Sequence, residues 1–492
     1  MKLKVKDMDI ETGGILIALL NENDARKLDL HPEDRIGIYR RKKKVIAVLD
    51  IAESEKACPE GKVGLFEEMI NLLGVKHGDI VDVVIEHKPE SLSFIKKKMD
   101  GKRLKPKEIE AIVYDIVDNE LTAIELTYFI SACYTHGLSL EETVALTKAM
   151  IKTGDTLKLN KYPVVDKHCL GGVAGNRTSM IAVPILAAAG LTVPKTSSRS
   201  ITSPAGTADT MEVLCNVCHS MKDIKRIVEK TNGCIVWGGA VNMAPADDKI
   251  IKVENPLRID AEGNMLSSIM AKKGSVSSTH VIIDIPLGKG AKIESRKEAN
   301  KLSREFKKIG NALGMKIKVV ITDGSQPIGN GIGPALEARD VLWLLKNDKR
   351  APQDLRKKSL MLAEETLEMC GMDRKLAKEM LESGKAYKKM IQIINAQGKR
   401  ITDPDKIKPA KLKYEYRAKK SGKITHIDNG FISRVARLAG APQDKDAGMY
   451  LYKHKGDNVK KGEVIFTLYA EIRQKLEFAV DALKEGSGII IN

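Results

Sequence analysis

The stretch Asp166-Lys167-His168-Cys169-Leu170-Gly171-Gly172-Val173-Ala174-Gly175-Asn176-Arg177-Thr178-Ser179 decides how this chain is read. Val164 and Val165 precede it and the apolar run 181–189 follows, so the pattern is strand, glycine-rich turn, buried helix. Glycines let backbone N–H groups come close to an anion, and the start of the following helix adds positive potential. Lys167 supplies a point charge, while Thr178 and Ser179 supply hydroxyl donors at the helix start. Taken alone, a glycine loop with a lysine also describes a tight turn and a helix cap, so it specifies phosphate only weakly.

Outward from this stretch, residues 233–237, 281–285 and 316–321 read as further strands separated by helical patterns. That alternation predicts an α/β sheet with parallel members. A second polar run, Thr196-Ser197-Ser198-Arg199-Ser200-Ile201-Thr202-Ser203-Pro204-Ala205-Gly206-Thr207-Ala208-Asp209, gathers hydroxyls around an arginine. A solvated loop needs less donor capacity than this. Two such loops at strand ends of one sheet make an anion site.

The flanks differ. Residues 1–87 alternate short β-branched runs with turns and contain an echo, residues 28–38 against residues 73–83. Two such units packed together predict a small N-terminal β-barrel of double-psi-like pattern. Residues 88–160 read as a helical domain, joined by about 245–275. Its basic run 96–107 reads as a linker, Pro106 as a helix start, and Ile109, Ile112, Val113, Ile116 and Leu126, Phe129, Ile130, Cys133 as apolar stripes. Residues 161–410 form the large mixed α/β domain, and 411–492 a β-rich C-terminal domain. There the turn at 456–466 is similar to the hammerhead of a biotinyl or lipoyl carrier, without a lysine in the modified context. The expected fold class is α/β multidomain.

At 492 residues the chain exceeds one hydrophobic core, and its 43% hydrophobic and 30% charged residues are those of an ordinary soluble protein. No apolar run reaches the roughly 18 residues of a membrane span, and no apolar leader opens the chain, so the cytoplasm is the expected compartment. Seven cysteines, an odd number, fit a reducing environment. The net charge of +17 is spread among 65 acidic residues and aromatics make up only 4%, which argues against nucleic acid as partner. A positive field also concentrates small anions. Cys215-Asn216-Val217-Cys218-His219 spells a haem attachment site, but that chemistry belongs outside the cytoplasm. These cysteines are expected in a helix, and no metal site is expected. Glu67-Glu68 and Glu141-Glu142 read as solvated carboxylates, and His168 as a residue that positions its loop.

Several motifs occur together in order: Lys167-His168-x-x-Gly171-Gly172, the Ser-Arg of the second loop, Gly206-Thr207, Met211-Glu212, Thr322-Asp323-Gly324-Ser325-Gln326-Pro327-Ile328-Gly329 and Ala335-Leu336-Glu337. With the segment 440–466 they resemble the thymidine and pyrimidine-nucleoside phosphorylase family over residues 100–475. The departures point to one branch. Cys169-Leu170 stands where the pyrimidine enzymes carry Ser-Thr, the loop is one residue longer, and the base-binding arginine position falls near Val253. The Ser-Arg-Ser-Ile-Thr-Ser-Pro-Ala-Gly-Thr run and the N-terminal barrel instead resemble the archaeal AMP phosphorylases.

That resemblance implies phosphorolysis of a nucleoside monophosphate, AMP and phosphate giving adenine and ribose 1,5-bisphosphate. It implies nucleotide contacts from Gly172, Ser198, Arg199, Ser200, Ile201, Thr202, Ser203, Thr207, Ser268, Lys272 and Lys292. Lys167, Ser179, Ser197 and Thr207 are candidates for the attacking phosphate. Asp260 is implied as proton donor to the departing purine, which requires a raised pKa. No cofactor is expected beyond inorganic phosphate as co-substrate. The expected assembly is a homo-oligomer, at least a dimer and larger if the N-terminal domain adds contacts. A pyrimidine-nucleoside phosphorylase and, from another class, an RNA-binding protein with a barrel module are the competing readings. The related fold of anthranilate phosphoribosyltransferase serves a reaction with pyrophosphate and Mg²⁺, but no acidic pair for that metal stands beside the first loop.

Overall fold

In strand β1 (Lys2–Asp7) the side chains of Leu3 and Val5 are buried and those of Lys2 and Lys4 exposed, the period of a half-buried strand. The computed structural model describes residues 1–13, 16–200, 203–254, 256, 259 and 261–492. It divides into two units, Met1–Thr153 with Ala244–Ser268, and Gly154–Met243 with Ile269–Asn492.

The first unit opens with a closed six-stranded barrel. Its strands are β1, β2 (Ile17–Asn21), β3 (Arg35–Arg40), β4 (Lys43–Ala52), β5 (Lys62–Leu65) and β6 (Ile80–Ile85), in cyclic order β1-β5-β2-β4-β3-β6. The pairs β1–β5 and β2–β4 are parallel and the rest antiparallel. Exchanging β1 with β4, β2 with β5 and β3 with β6 preserves every neighbour. The echo at 28–38 and 73–83 therefore has a structural counterpart: each copy runs from the end of a short helix, α1 (Glu22–Lys27) or α2 (Glu67–Leu73), into β3 or β6.

Helices α3 (Ser91–Met99), α4 (Pro106–Val117), α5 (Ala123–His136) and α6 (Leu140–Lys152) follow, and α10 (Pro245–Glu254) packs with α4 and α5. Thr122 and Ser139 cap α5 and α6, each in a reciprocal box with Glu125 or Glu142. Both apolar stripes are buried as the helical spacing requires. Two expectations fail here. The basic run is not simply a linker, since Lys96–Lys98 complete the last turn of α3. Glu142 is not solvated: it is buried, accepting from Lys98 Nζ at 2.8 Å and from the backbone N–H of Leu104 at 2.9 Å. A carboxylate satisfied by a buried lysine and two helix-end N–H groups can leave water.

In the second unit β7 (Val165–Cys169) is followed by α7 (Thr178–Ala188) and β8 (Val193–Ser197), then α8 (Thr207–Leu214), α9 (Met221–Thr231) and β9 (Gly233–Trp237). The chain re-enters from α11 (Glu262–Ser275), whose C-terminal half belongs to this unit, into β10 (His280–Leu287), α12 (Arg296–Ala312) and β11 (Lys316–Asp323). β7, β10 and β11 form one parallel sheet and β8 and β9 another. A parallel bridge between Val164 and Thr192 joins them into the order β9-β8-β7-β10-β11. Winding runs outward one way through β8 and β9, then the other way through β10 and β11. The reversal leaves a crevice beyond the carboxyl ends of β7 and β10, where open α/β sheets bind ligands.

Helices α13 (Pro334–Leu345), α14 (Gln353–Met369), α15 (Lys375–Glu382) and α16 (Lys385–Ala396) pack with α7 in the main core. The antiparallel order β12-β15-β17-β13 comprises β12 (Gly331–Ile332), β15 (Gly448–Leu451), β17 (Val464–Ala470) and β13 (Leu412–Arg417). A second small sheet joins β14 (Gly422–Ile427), β16 (Asn458–Val459) and β18 (Ile489–Ile491), with α17 (Asn429–Leu438) and α18 (Arg473–Ala482) beside them. Within 456–466 the turn at 460–463 does lie between two strands, β16 and β17. Cys215 and Cys218 are not helical as expected: Cys215 is extended at the end of α8, and Asn216 Oδ1 accepts from Cys218 N at 3.0 Å to turn the chain. Among the described residues no helix is long and apolar enough to cross a membrane.

Candidate active site

Three loops interlock at the crevice. Gly171 and Gly172 take φ of +90° and +83°, and a Cβ on Gly172 would lie 2.2 Å from the backbone nitrogen of Lys292 in the loop after β10. A Cβ on Gly175 would lie 2.2 Å from the carbonyl oxygen of Ile328, and one on Gly288 would lie 2.6 Å from Ser325 N. Gly172 and Gly175 are therefore required by close approach as well as by dihedral angle, Gly171 by dihedral angle and Gly288 by close approach. Asn429, buried at the start of α17, closes the ring: its Nδ2 donates to Gly324 O at 2.9 Å and its Oδ1 accepts from Ala174 N at 3.4 Å.

The crevice floor is charged. Lys167 is buried beneath its loop, its Nζ donating to Thr178 Oγ1 at 2.7 Å and lying 3.7 Å from Asp284 Oδ2. Asp284 on β10 also faces Lys358 Nζ at 3.3 Å and accepts from Thr322 at 2.6 Å. On the other face of β7, Asp166 meets Lys273 at 2.7 Å and Lys195 at 3.7 Å. Four buried lysines thus share two buried aspartates. Burial pushes Lys195 down to about 7, with Lys273 adding to the effect and Asp166 opposing it. Burial would raise Asp284, but Lys167 and Lys358 hold it below the ordinary range. Burial, and then the surrounding lysines, keep the His168 imidazole far below its usual value.

The second loop is held by carboxylates. Asp209 Oδ2 accepts from Ser200 N at 2.8 Å and Gly206 N at 2.9 Å. Arg199 forks onto Glu212 with both contacts at 2.7 Å and lies 4.7 Å over the Trp237 ring. Hydrogen bonds from Arg199 and Lys445 hold Glu212 at about 2. Arg199 is thus already bound within the protein, and its guanidinium shapes the loop. Ser203 Oγ donates to Ala205 O at 3.0 Å, and Ser197 Oγ to Ser198 O at 3.1 Å. Ser179 is buried in the first turn of α7, and Thr207 opens α8.

The second unit therefore brings Lys167, Gly172, Ser179, Ser197, Ser198, Arg199, Ser200, Ser203 and Thr207 to loops at or beside the carboxyl edge of its sheet, with Lys292 exposed on the loop after β10. Lys272 lies on the part of α11 in this unit, Ser268 on the part in the first. Ile201, Thr202 and Asp260 lie outside the described residues. Sequence reasoning missed Asp166, Lys195, Asp209, Lys273, Asp284, Lys358 and Asn429, which act on the loops from beneath. Only Asp209 carried a signal, a carboxylate three residues after the Gly206 cap.

Comparison with known proteins agrees with this architecture. Residues 92–154 match the glycosyl transferase family helical bundle domain, residues 161–283 the glycosyl transferase family a/b domain, and residues 423–490 the pyrimidine nucleoside phosphorylase C-terminal domain. Anthranilate phosphoribosyltransferase from Thermus thermophilus shares the fold at TM-score 0.53 and 19% identity, over 62% of this chain and 98% of that one. The AMP phosphorylase of Thermococcus kodakarensis is 47% identical over 490 residues, 98% of this chain and 96% of that one. That of Pyrococcus furiosus is also 47% identical, with the same coverage. That of Methanocaldococcus jannaschii is 42% identical over 485 residues, 98% and 95% of the two chains. With relatives this similar along nearly its whole length, the chain belongs to the AMP phosphorylase family.

Proposed function

We propose that this enzyme, a pentosyltransferase, splits AMP with inorganic phosphate into adenine and ribose 1,5-bisphosphate, without metal or organic cofactor. Orthophosphate attacks the anomeric carbon as the C–N bond breaks, through an oxocarbenium-like state. Catalysis consists of holding two anions beside one sugar and easing departure of the base. The observation that carries this reading is the crevice floor, where four buried lysines share two aspartates beneath glycine loops narrow enough to admit backbone donors to an anion.

In this scheme Lys167, Ser179, Ser197 and Thr207 serve the attacking phosphate. Gly172, residues 198–203 (Arg199 by holding the loop on Glu212), Thr207, Ser268, Lys272 and Lys292 serve the nucleotide. Asp260 enters protonated and gives its proton to purine N7, and the proton lost by the attacking phosphate hydroxyl restores it. The N-terminal barrel is of the double-psi type, an assignment supported by the exchange symmetry of its strand order. The working compartment is the cytoplasm and the working form a homo-oligomer.

The test is chromatographic detection of adenine from AMP with and without orthophosphate, beside CMP, UMP and thymidine. Adenine released only with phosphate supports the proposal, and its absence refutes it. Thymine released in preference would install the pyrimidine-nucleoside alternative. Asp260→Asn is expected to lower turnover more than AMP binding, and an unchanged turnover number removes Asp260 from the mechanism.

A further inference from the structure

Two threonines flank the anion loops, and each accepts a hydrogen bond from a buried cation. Thr178 Oγ1 accepts from Lys167 Nζ at 2.7 Å and passes its own proton to Asn176 Oδ1 at 3.1 Å, so its capacity is spent inside the protein. Thr207 Oγ1 accepts from Arg177 Nη1 at 3.0 Å. Among the described residues no protein acceptor takes the Thr207 proton, and the side chain is half-buried at the first residue of α8, open to a ligand.

Arg177 is buried, and its fork is occupied on every side. Nη2 donates to Ala205 O at 2.7 Å, Nε meets Glu337, and Glu337 is itself fixed by Gly333 N at 3.0 Å and Thr210 Oγ1 at 3.3 Å. A guanidinium only donates. A threonine hydroxyl that receives from it has one proton left, and that proton must go to an acceptor elsewhere. We propose that Arg177 is a positioning residue: by fixing Thr207 Oγ1 as an acceptor it aims the Thr207 hydroxyl proton at a phosphoryl oxygen of the substrate pair. The proposal rests on the phosphorolytic reading for the identity of that phosphoryl group. The ligand chemistry is a phosphate oxyanion, carried either by free orthophosphate or by the 5′-phosphate of the nucleotide.

Lysine carries the same charge but cannot reach Thr207, Ala205 and Glu337 together. Arg177→Lys is therefore expected to raise KM for one phosphoryl substrate about tenfold, the worth of one charged hydrogen bond, with a smaller change in kcat. A rise in KM for orthophosphate assigns the proton to the attacking anion. A rise for AMP, absent when adenosine replaces it, assigns it to the 5′-phosphate. Because Arg177→Met alone strands Glu337, the double variant Arg177→Met/Glu337→Leu removes both charges at once. Thr207→Val should cost about tenfold in the parent enzyme and almost nothing more in that double variant, since both routes abolish the same bond. Equal losses in the two backgrounds overturn the proposal, as does an unchanged KM in Arg177→Lys. Titration with orthophosphate and, separately, with AMP in the absence of orthophosphate, followed by ³¹P NMR on parent and variants, reads the same loss without turnover. An enzyme that releases no adenine therefore refutes the functional reading, while the titration still decides the role of Arg177.

Discussion

Each of the two units buries lysine against carboxylate, and the difference in balance separates structure from site. In the helical part of the first unit one lysine meets one carboxylate: Lys98 and Glu142 are both buried, 2.8 Å apart, and Glu142 also accepts from Leu104 N and Ser139 N. The two charges there are matched, and the carboxylate accepts three hydrogen bonds. Under the crevice of the second unit, Lys167 and Lys358 share Asp284 while Lys195 and Lys273 share Asp166. A balanced buried pair closes a fold. An excess of buried cation has a cost that an arriving anion, or the loss of a proton from one lysine, offsets.

The sharpest way to break this contrast is to remove one lysine from each place. Lys98→Met leaves the Glu142 carboxylate buried without its cation and is expected to destabilise the first unit by about 3–5 kcal/mol, read from urea unfolding. The double variant Lys98→Met/Glu142→Leu should recover most of that loss. A single variant as stable as the parent would show that the pair contributes little. Lys167→Met is expected to do the reverse: turnover falls about 10²- to 10³-fold, while the unfolding midpoint barely moves, because Lys358 remains to answer Asp284. A large loss of stability with normal kinetics would make Lys167 a structural residue.

The same contrast explains what could be read from the chain beforehand. Strand and helix periods survive in local sequence, so β9 matches residues 233–237 and α4 begins at Pro106 as its capping pattern requires. The glycine loop was legible because φ near +90° and a 2.2 Å approach leave glycine no substitute. Partnerships across the chain were not legible. Lys98 sits in a basic run that reads as a linker, and its partner lies 44 residues away. Arg199 looks like a free ligand for phosphate until α8 turns Glu212 toward it. Asp284 stands inside an apolar strand where nothing local announces Lys167 or Lys358. Sequence reveals a residue's conformational demands more readily than its distant electrostatic debts.

Gly172 tests the backbone side of the crevice. Gly172→Ala must displace the loop after β10, because its Cβ would sit 2.2 Å from Lys292 N, and it must hold φ near +83°. The expected cost is about 1–3 kcal/mol of stability, with KM for phosphate rising as the loops part. Gly171→Ala shares the dihedral strain but meets nothing within 4 Å. It should cost a similar amount of stability while disturbing KM less, and equal effects on KM would assign the loss to dihedral strain alone.

The last comparison concerns Lys195, whose effect accrues only across several pH units and whose sign follows from linkage. Its folded pKa of about 7 lies below the unfolded value near 10.5, because burial and then Lys273 disfavour the cation more than Asp166 favours it. Between about pH 7 and 10.5 the unfolded chain therefore holds a proton that the folded chain has released. Stability rises with pH across that window, by up to about 1.4 kcal/mol per unit. Below pH 7 the lysine is charged in both states and its contribution is flat. In Lys195→Met this term vanishes, so the stability difference between parent and variant should shift toward the parent from pH 7 to pH 10 and stay level from pH 6 to pH 7. Urea titrations at four pH values measure it. A difference that stays constant with pH would mean that Lys195 keeps its proton although buried, so that Asp166 serves two charged lysines and the crevice carries its full cationic excess throughout.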